Sequence, residues 1–329
     1  MQSRVGPDRA GPFGILQTLA DAIKLLLKEQ ILPSKADRAM YLLAPLIALV
    51  PSFLIFMIIP LGPDITVEWQ NVLYTIPLVG ADLNVGVLYF LALSSIAVYS
   101  VVLAGWSSGS KYPLLGGVRA SAQMISYEAA MGLALVPVIL YSGSLSLVDI
   151  VNSQSGNLSS SIPILNTIVS FIPKWNIFPQ FVAFGIFFIA AVAEVNRAPF
   201  DLVEAEQELV GGFHTEYSGF RFAMFFLAEY INMFNMCAIT ATFFLGGWLG
   251  PTFEGILPPI FSVIMPIIWL GVKTFLLLFV FVWIRATLPR LRYDQLMELG
   301  WKRMIPLSLV WLILSAIVLG LREFGLPWS

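Results

Sequence analysis

Seven apolar stretches separated by polar connections organise the chain, at roughly 40–60, 85–105, 121–141, 178–195, 221–248, 260–285 and 304–321. A helix needs about 20 mostly apolar residues to cross the hydrocarbon core of a bilayer, and each stretch meets or approaches that length. The fourth is the shortest. Residues 13–30 (FGILQTLADAIKLLLKEQ) follow a different pattern. Phe13, Leu16, Leu19, Ala20, Ile23, Leu26 and Leu27 recur at helical spacing, opposed by Gln17, Asp21, Lys24 and Lys28. That period predicts an amphipathic helix, either lying along the membrane interface or packed on the core of a small soluble segment. The expected fold class is an all-α integral membrane protein: seven transmembrane helices plus an N-terminal amphipathic interfacial helix. The helical bundle occupies 40–321, with residues 1–39 before it and a tail, 322–329, after it.

Composition agrees. Hydrophobic residues make up 58% of the chain and charged ones 12%, with a mean hydropathy of +0.85. A soluble domain carries about twice that charged fraction. Basic residues add an orientation. The segments 1–39, 106–120, 196–221 and 285–303 together hold fifteen of the 18 lysines and arginines. The alternate connections hold only Lys174 and Arg322, and Lys273 lies within a span. The positive-inside rule therefore places the first set, and the Met1 end, in the cytoplasm, and the C-terminus on the opposite side. The alternation supports seven spans, because one missing or extra helix would scramble it. One cysteine (Cys237) and one histidine (His214) exclude an internal disulfide, a thiolate cluster and a multi-histidine metal site. The net charge of −2 gives no reason to expect a nucleic-acid partner. Any electron carriers belong on another chain.

Ionisable side chains inside a bilayer cost roughly 2.5–3.5 kcal/mol each on insertion scales. Four fall in the predicted spans: Glu128, Glu194, Glu229 and Lys273. Each must face the bundle interior, a neighbouring chain or water. Buried carboxylates change protonation readily, and a row of them bridged by water carries protons; a buried Glu–Lys pair that only fixes packing is the structural alternative. The connection EVNRAPFDLVEAEQELVGGFHTE (194–216) is the densest chemistry. It sets Glu194, Asp201, Glu204, Glu206, Glu208 and Glu216 against one Arg197. On a short helix over 201–210, Asp201, Glu204 and Glu208 would share a face. The interleaved Leu202, Val203, Leu209, Val210 and Phe213 point to burial rather than to a solvated loop. His214 reads either as a proton donor at the mouth of this network or as a structural hydrogen-bonding residue. In the last basic connection, Arg285, Arg290 and Arg292 surround Asp294 and suit either the acidic loop or phospholipid headgroups.

Several motifs together carry a family resemblance. EVNRAPFDLVEAEQELVGGFHTEYSG (194–219), FFLAEYINM (225–233), RVGPDRAGPFGILQTLADAIKLLLKE (4–29), SKYPLLGGVRASAQMISYE (110–128) and RATLPRLRYDQLMELGWK (285–302) are similar to those of the H-type membrane subunit of respiratory complex I and its mitochondrial and chloroplast counterparts. The likeness covers nearly the whole chain. It implies a subunit of a proton-translocating NADH:quinone oxidoreductase in the cell inner membrane, forming much of the quinone chamber. Quinone is the implied substrate, with no cofactor bound covalently. FMN and iron–sulfur clusters are expected on partner subunits. The implied partners are the peripheral-arm quinone-site and iron–sulfur subunits, small membrane subunits and antiporter-like subunits, with lipid around them. Carried over by position, the chamber and entrance residues would be Arg4, Asp21, Lys24, Arg119, Arg197 and Arg285. The coupling loop would be Asp201, Glu204, Glu206 and Glu208, with Glu216 nearby. Glu128, Glu194 and Glu229 would be the membrane carboxylates, and Lys273 and Asp294 are further matched positions. The family begins with one more transmembrane helix, so its usual eight spans become seven here, and Met1 is expected to match an internal Met of the complete protein.

Other readings remain beside this one. A homologous subunit of a membrane-bound hydrogenase, formate hydrogenlyase or ferredoxin–quinone complex shares much of the pattern. A stand-alone channel or transporter would need its own substrate site, and an acidic loop with apolar interleaving does not suit one. A purely structural anchor would leave the buried acids without a task.

Overall fold

The computed structural model describes residues 6–69, 72–156, 173–201, 210–251 and 260–324. Ten helices follow one another there: α1 (Gln17–Leu27), α2 (Arg38–Met57), α3 (Gly86–Ser107), α4 (Lys111–Ser142), α5 (Leu147–Ser153), α6 (Phe181–Glu194), α7 (Gly219–Phe244), α8 (Ile260–Thr287), α9 (Tyr293–Glu298) and α10 (Ile305–Phe324). A π-helical turn, Leu299–Met304, joins α9 to α10. The chain is an all-α membrane protein, and an antiparallel hairpin, β1 (Ile65–Trp69) and β2 (Val72–Ile76), interrupts the connection after α2. All seven apolar stretches are helical. Among the described residues six helices are long and apolar enough to cross a membrane, and the seventh, α6, is a shorter apolar helix.

At 14 residues α6 rises about 21 Å, less than the ~30 Å hydrocarbon core. The backbone leading into it is irregular, and such backbone is tolerated at depth only where protein satisfies it. Here that happens side chain by side chain. The Asn176 amide donates to Gln154 Oε1 at 3.1 Å and the Ile177 amide to the Phe244 carbonyl at 2.9 Å. Trp311 Nε1 donates to Gln180 Oε1 at 2.6 Å, tying the start of α6 to α10. By contrast α4 is 32 residues, about 48 Å, and begins ten residues before the predicted span. Lys111, Gly116 and Arg119, expected in a connection, belong to its first turns.

The amphipathic helix forms, but as α1 from Gln17, later than the pattern suggested. Phe13 sits in a preceding turn at a left-handed φ of 56°, between Gly11 (φ 76°) and Gly14 (φ 75°). Leu16, Leu19, Ile23 and Leu26 are exposed, forming an apolar stripe that the rest of the chain leaves uncovered. Asp37 starts α2, its carboxylate accepting from the amides of Ala39 (3.1 Å) and Met40 (3.3 Å).

Two apolar cores hold the bundle. The larger joins α4, α6 and α7 around Phe187, Phe243 and Phe244. The smaller joins α2, α3 and α4 to Phe213, Tyr217 and Phe225. Half of the apolar window of α3 and of α4 is buried, against 17% for the Tyr293–Arg322 segment. Thus α3 and α4 are central and α10 is peripheral. Without a hydrophobic drive between helices in lipid, close packing of small residues does the joining. Gly105 of α3 meets α4 so tightly that a Cβ there would lie 2.5 Å from the Pro113 carbonyl oxygen, whereas Gly185 of α6 faces open space. Gly105→Ala is expected to destabilise the protein by about 1–3 kcal/mol through overpacking, and Gly185→Ala to leave it unchanged or slightly firmer. Thermal denaturation in detergent checks this; equal melting temperatures for the two variants would refute the α3–α4 contact.

Candidate functional site

The last turn of α6 delivers Glu194 into the protein at 6% exposure. Beyond it the helix stops because Asn196 turns left-handed, at φ 52°, a conformation asparagine tolerates well. Gln123 of α4 holds this turn: its Nε2 donates to the carbonyls of Ala193 (2.8 Å) and Phe200 (2.9 Å) and to Asn196 Oδ1 (3.3 Å). The chain therefore leaves α6 along a fixed path and sets Arg197 beneath α7. Arg197, 4% exposed, places Nε 3.3 Å from Glu229 Oε1, and its guanidinium lies over the Tyr230 ring at 4.6 Å.

A cavity opens between these elements. Its polar lining is Ser100, Glu194, Asn196, Asp201, His214, Glu229 and Asn232; its apolar walls come from α2, α3, α4 and Phe213, Phe225 and Phe226. Sequence positions 194 to 232 thus converge on one space. Glu194 Oε2 and Asn232 Oδ1 are buried there with no hydrogen-bond partner among the described residues. A polar, roomy space with such atoms is one that water enters. His214 lies edge-on to Phe213 and Phe222, with ring centroids 5.0 and 5.3 Å away.

From Glu194 a polar route continues into α3 and α4. Ser94 stands close to the Glu194 carboxylate and donates to Glu128 Oε1 at 3.2 Å. Ser95 donates to the same Glu128 oxygen. Two hydroxyls therefore cap the half-buried Glu128, and one of them lies beside the buried Glu194. Among the residues that sequence reasoning missed, Ser94, Ser95 and Asn232 are uncharged and sit in apolar runs, so a search for charge passes over them. The one signal in the chain was the Ser–Ser pair inside a membrane-length stretch.

The loops at this end of the bundle are pinned to it. Tyr41 and Tyr217 stack with centroids 4.1 Å apart, the Tyr41 hydroxyl donates to the Glu216 carbonyl (2.8 Å), and the Tyr217 hydroxyl donates to the Tyr41 carbonyl (3.2 Å). Burial pushes the Tyr217 phenol up to about 12, so it serves as a neutral donor. Tyr127 donates to the Leu296 carbonyl at 2.9 Å, and the Leu291 amide to Pro199 at 3.0 Å, which sets the last basic loop beside the acidic one.

The remaining expected residues lie elsewhere. Arg119, half-buried, stacks on Tyr293 at 5.2 Å. Asp21 accepts from Gln17 at 3.1 Å, and both it and Lys24 are exposed on α1. Arg285 is exposed near the end of α8, and exposed Asp294 pairs with Arg292 at 3.1 Å. Glu216 contributes its backbone carbonyl to the tyrosine pair. Lys273 stands apart from the acids and bonds backbone carbonyls of Leu245, Gly247 and Leu249. Arg4, Glu204, Glu206 and Glu208, and with them the expected short helix over 201–210, lie outside the described residues.

Known proteins agree with this frame. The chain matches the NADH dehydrogenase family over residues 1–316. It is 52% identical over 332 residues to the second H-type subunit of the NADH-quinone oxidoreductase of Geobacter metallireducens, covering 98% of this chain and 87% of that one. It is 51% identical over 317 residues to the H-type subunit of the NADH-quinone oxidoreductase of Ralstonia nicotianae, covering 96% and 83%. With identity above half along nearly its full length, and a bundle of membrane-length helices of the kind those motifs imply, the chain belongs to the NADH dehydrogenase family.

Proposed function

We propose that the chain is the H-type membrane subunit of a proton-pumping NADH:quinone oxidoreductase, and that its buried carboxylates couple quinone reduction to proton movement. The observation that carries this reading is the cavity that gathers Glu194, Asp201, His214 and Glu229 from separate elements. Quinone is the substrate. FMN and iron–sulfur clusters reside on partner subunits, which deliver electrons to the headgroup in a chamber formed in part by the cytoplasmic loops. The Met1 end and these loops face the cytoplasm, and the membrane is the cell inner membrane. The names of the relatives and the family match support this assignment.

Quinone reduction to quinol takes up protons with electrons, so the charge balance of the chamber changes as the headgroup is reduced. Arg197 answers to both sides: it lies in the loop that carries the acidic cluster and pairs with Glu229, which lines the cavity. A shift of its charge balance changes how firmly Glu229 holds a proton. Water in the cavity then passes the proton to Glu194, and Ser94 and Ser95 hand it to Glu128. Glu128, half-buried on α4, offers it to a neighbouring membrane protein of the complex. Asp201 and the loop acids Glu204, Glu206 and Glu208, with Glu216 at its end, set the field at the cavity mouth, and Arg4, Asp21, Lys24, Arg119 and Arg285 line the way in for quinone. Interacting carboxylates of this kind titrate as a set.

Three measurements test this reading. In the assembled enzyme, Ser95→Ala and Ser94→Ala are expected to lower the proton-to-electron ratio while quinone reduction continues, and Ser95→Thr to restore it. Unchanged stoichiometry in the double alanine variant would remove the hydroxyls from the route. Glu206→Gln is expected to slow quinone-linked turnover in membranes, and full activity would exclude a coupling role for the loop. A double-mutant cycle of Arg197→Gln and Glu229→Gln is expected to give a coupling energy of about 1–3 kcal/mol in thermal stability. A value near zero would show that the pair is not energetically joined.

A further inference from the structure

At the end of α7 away from the acidic cavity, the chain makes a polar collar. Glu229 and Leu245 are 16 residues apart, about 24 Å along the helix axis. There Lys273 of α8, 6% exposed, donates to the carbonyls of Leu245 (2.6 Å), Gly247 (2.9 Å) and Leu249, and its ammonium lies 4.3 Å from the Trp175 ring centroid. Gly246 and Gly247, at φ 73° and 50°, turn the chain so that these carbonyls converge on the lysine. Neighbouring carbonyls are met as well. Gln154 Nε2 donates to Thr242 (2.9 Å), Asn176 Nδ2 to Phe243 (2.9 Å) and the Ile177 amide to Phe244 (2.9 Å). Gln154 Oε1 accepts from the Gly246 amide at 3.0 Å. The end of a helix, where carbonyls ordinarily need water, is thus closed by side chains.

Three carbonyl acceptors use all three donors of an ammonium, the charged form of lysine. Such a charge is costly to bury, and an uncharged side chain could have filled the space. We propose that Lys273 and its collar are a proton seal: a fixed cation, in place of water, that leaves the acidic cavity in contact with only one face of the membrane. This rests on reading the cavity as a proton site. A cation held at such a collar repels hydronium, as fixed positive charges do in pores that exclude protons. It also cancels the negative end of the α7 dipole, which would otherwise draw cations in. Removal of the lysine leaves converging carbonyls that water must satisfy, and hydrated carbonyls make a path.

The test is passive proton permeability of the assembled enzyme in sealed vesicles, with no electron donor present. Lys273→Met is expected to collapse an imposed pH gradient about tenfold faster, equivalent to lowering the barrier by about 1.4 kcal/mol. Lys273→Arg is expected to keep wild-type tightness. Lys273→Gln retains two donors without the charge and is expected to leak; it carries the test alone where the methionine variant does not assemble. Wild-type tightness in the neutral variant that assembles would overturn the proposal, as would an arginine variant as leaky as the neutral ones. Glu229→Gln, tested for turnover in parallel, separates the two ideas. A leak at Lys273 with unimpaired Glu229→Gln turnover would leave the seal in place and discard the coupling reading.

Discussion

No charged or polar group in a lipid-embedded bundle can be left to bulk water, and this constraint organises the chain. Where water would have bonded a backbone or an acid, the protein supplies a side chain. Gln123 closes the turn after α6, Tyr127 reaches the last loop, and the stacked Tyr41 and Tyr217 exchange hydrogen bonds with backbone on each other's side. Each bond is modest alone. Their effect is geometric, because they fix the chain at both ends of the acidic connection, around Arg197 and Tyr217.

The two ends of α7 meet the constraint in opposite ways. At the far end the carbonyls are matched by Gln154, Asn176 and Lys273, and the space is filled. At the near end the cavity stays open, and Glu194 Oε2 and Asn232 Oδ1 lack partners among the described residues. Unpartnered polar atoms that line an open space are ones that water can satisfy.

Much of the architecture was legible in the chain. Apolar runs of membrane length found every long helix, because the cost of a charge in lipid leaves a plain hydropathy signature. Charge found Glu194 and Glu229, because ionisable groups in such runs are conspicuous. The pattern did not mark where α4 begins: Tyr112, Pro113 and Gly116 read as a connection, and only packing against Gly105 and Gly212 extends the helix through them. Nor did it place Lys273. A lysine in a greasy helix suggests a carboxylate partner, and here the partners are carbonyls created by a glycine turn remote in sequence. The serines between Glu128 and Glu194 were invisible for a related reason, since a hydroxyl's role depends on what stands opposite it.

Exposure along the polar route then bears on its direction. Glu194 is buried at the end of α6, whereas Glu128, which Ser94 and Ser95 bond, is half-buried on α4. Both serines lie on α3, one of the two most buried spans. A route through them therefore runs across the bundle, from its interior toward a helix surface, and does not follow α7 toward the collar at Lys273. A carboxylate at that surface is expensive against lipid, by the same desolvation that raises the cost of every other charge here. It becomes tolerable when another protein chain covers it. The proposed route and the need for membrane partners are thus consequences of one cost: a proton acceptor at the edge of this bundle requires a neighbour.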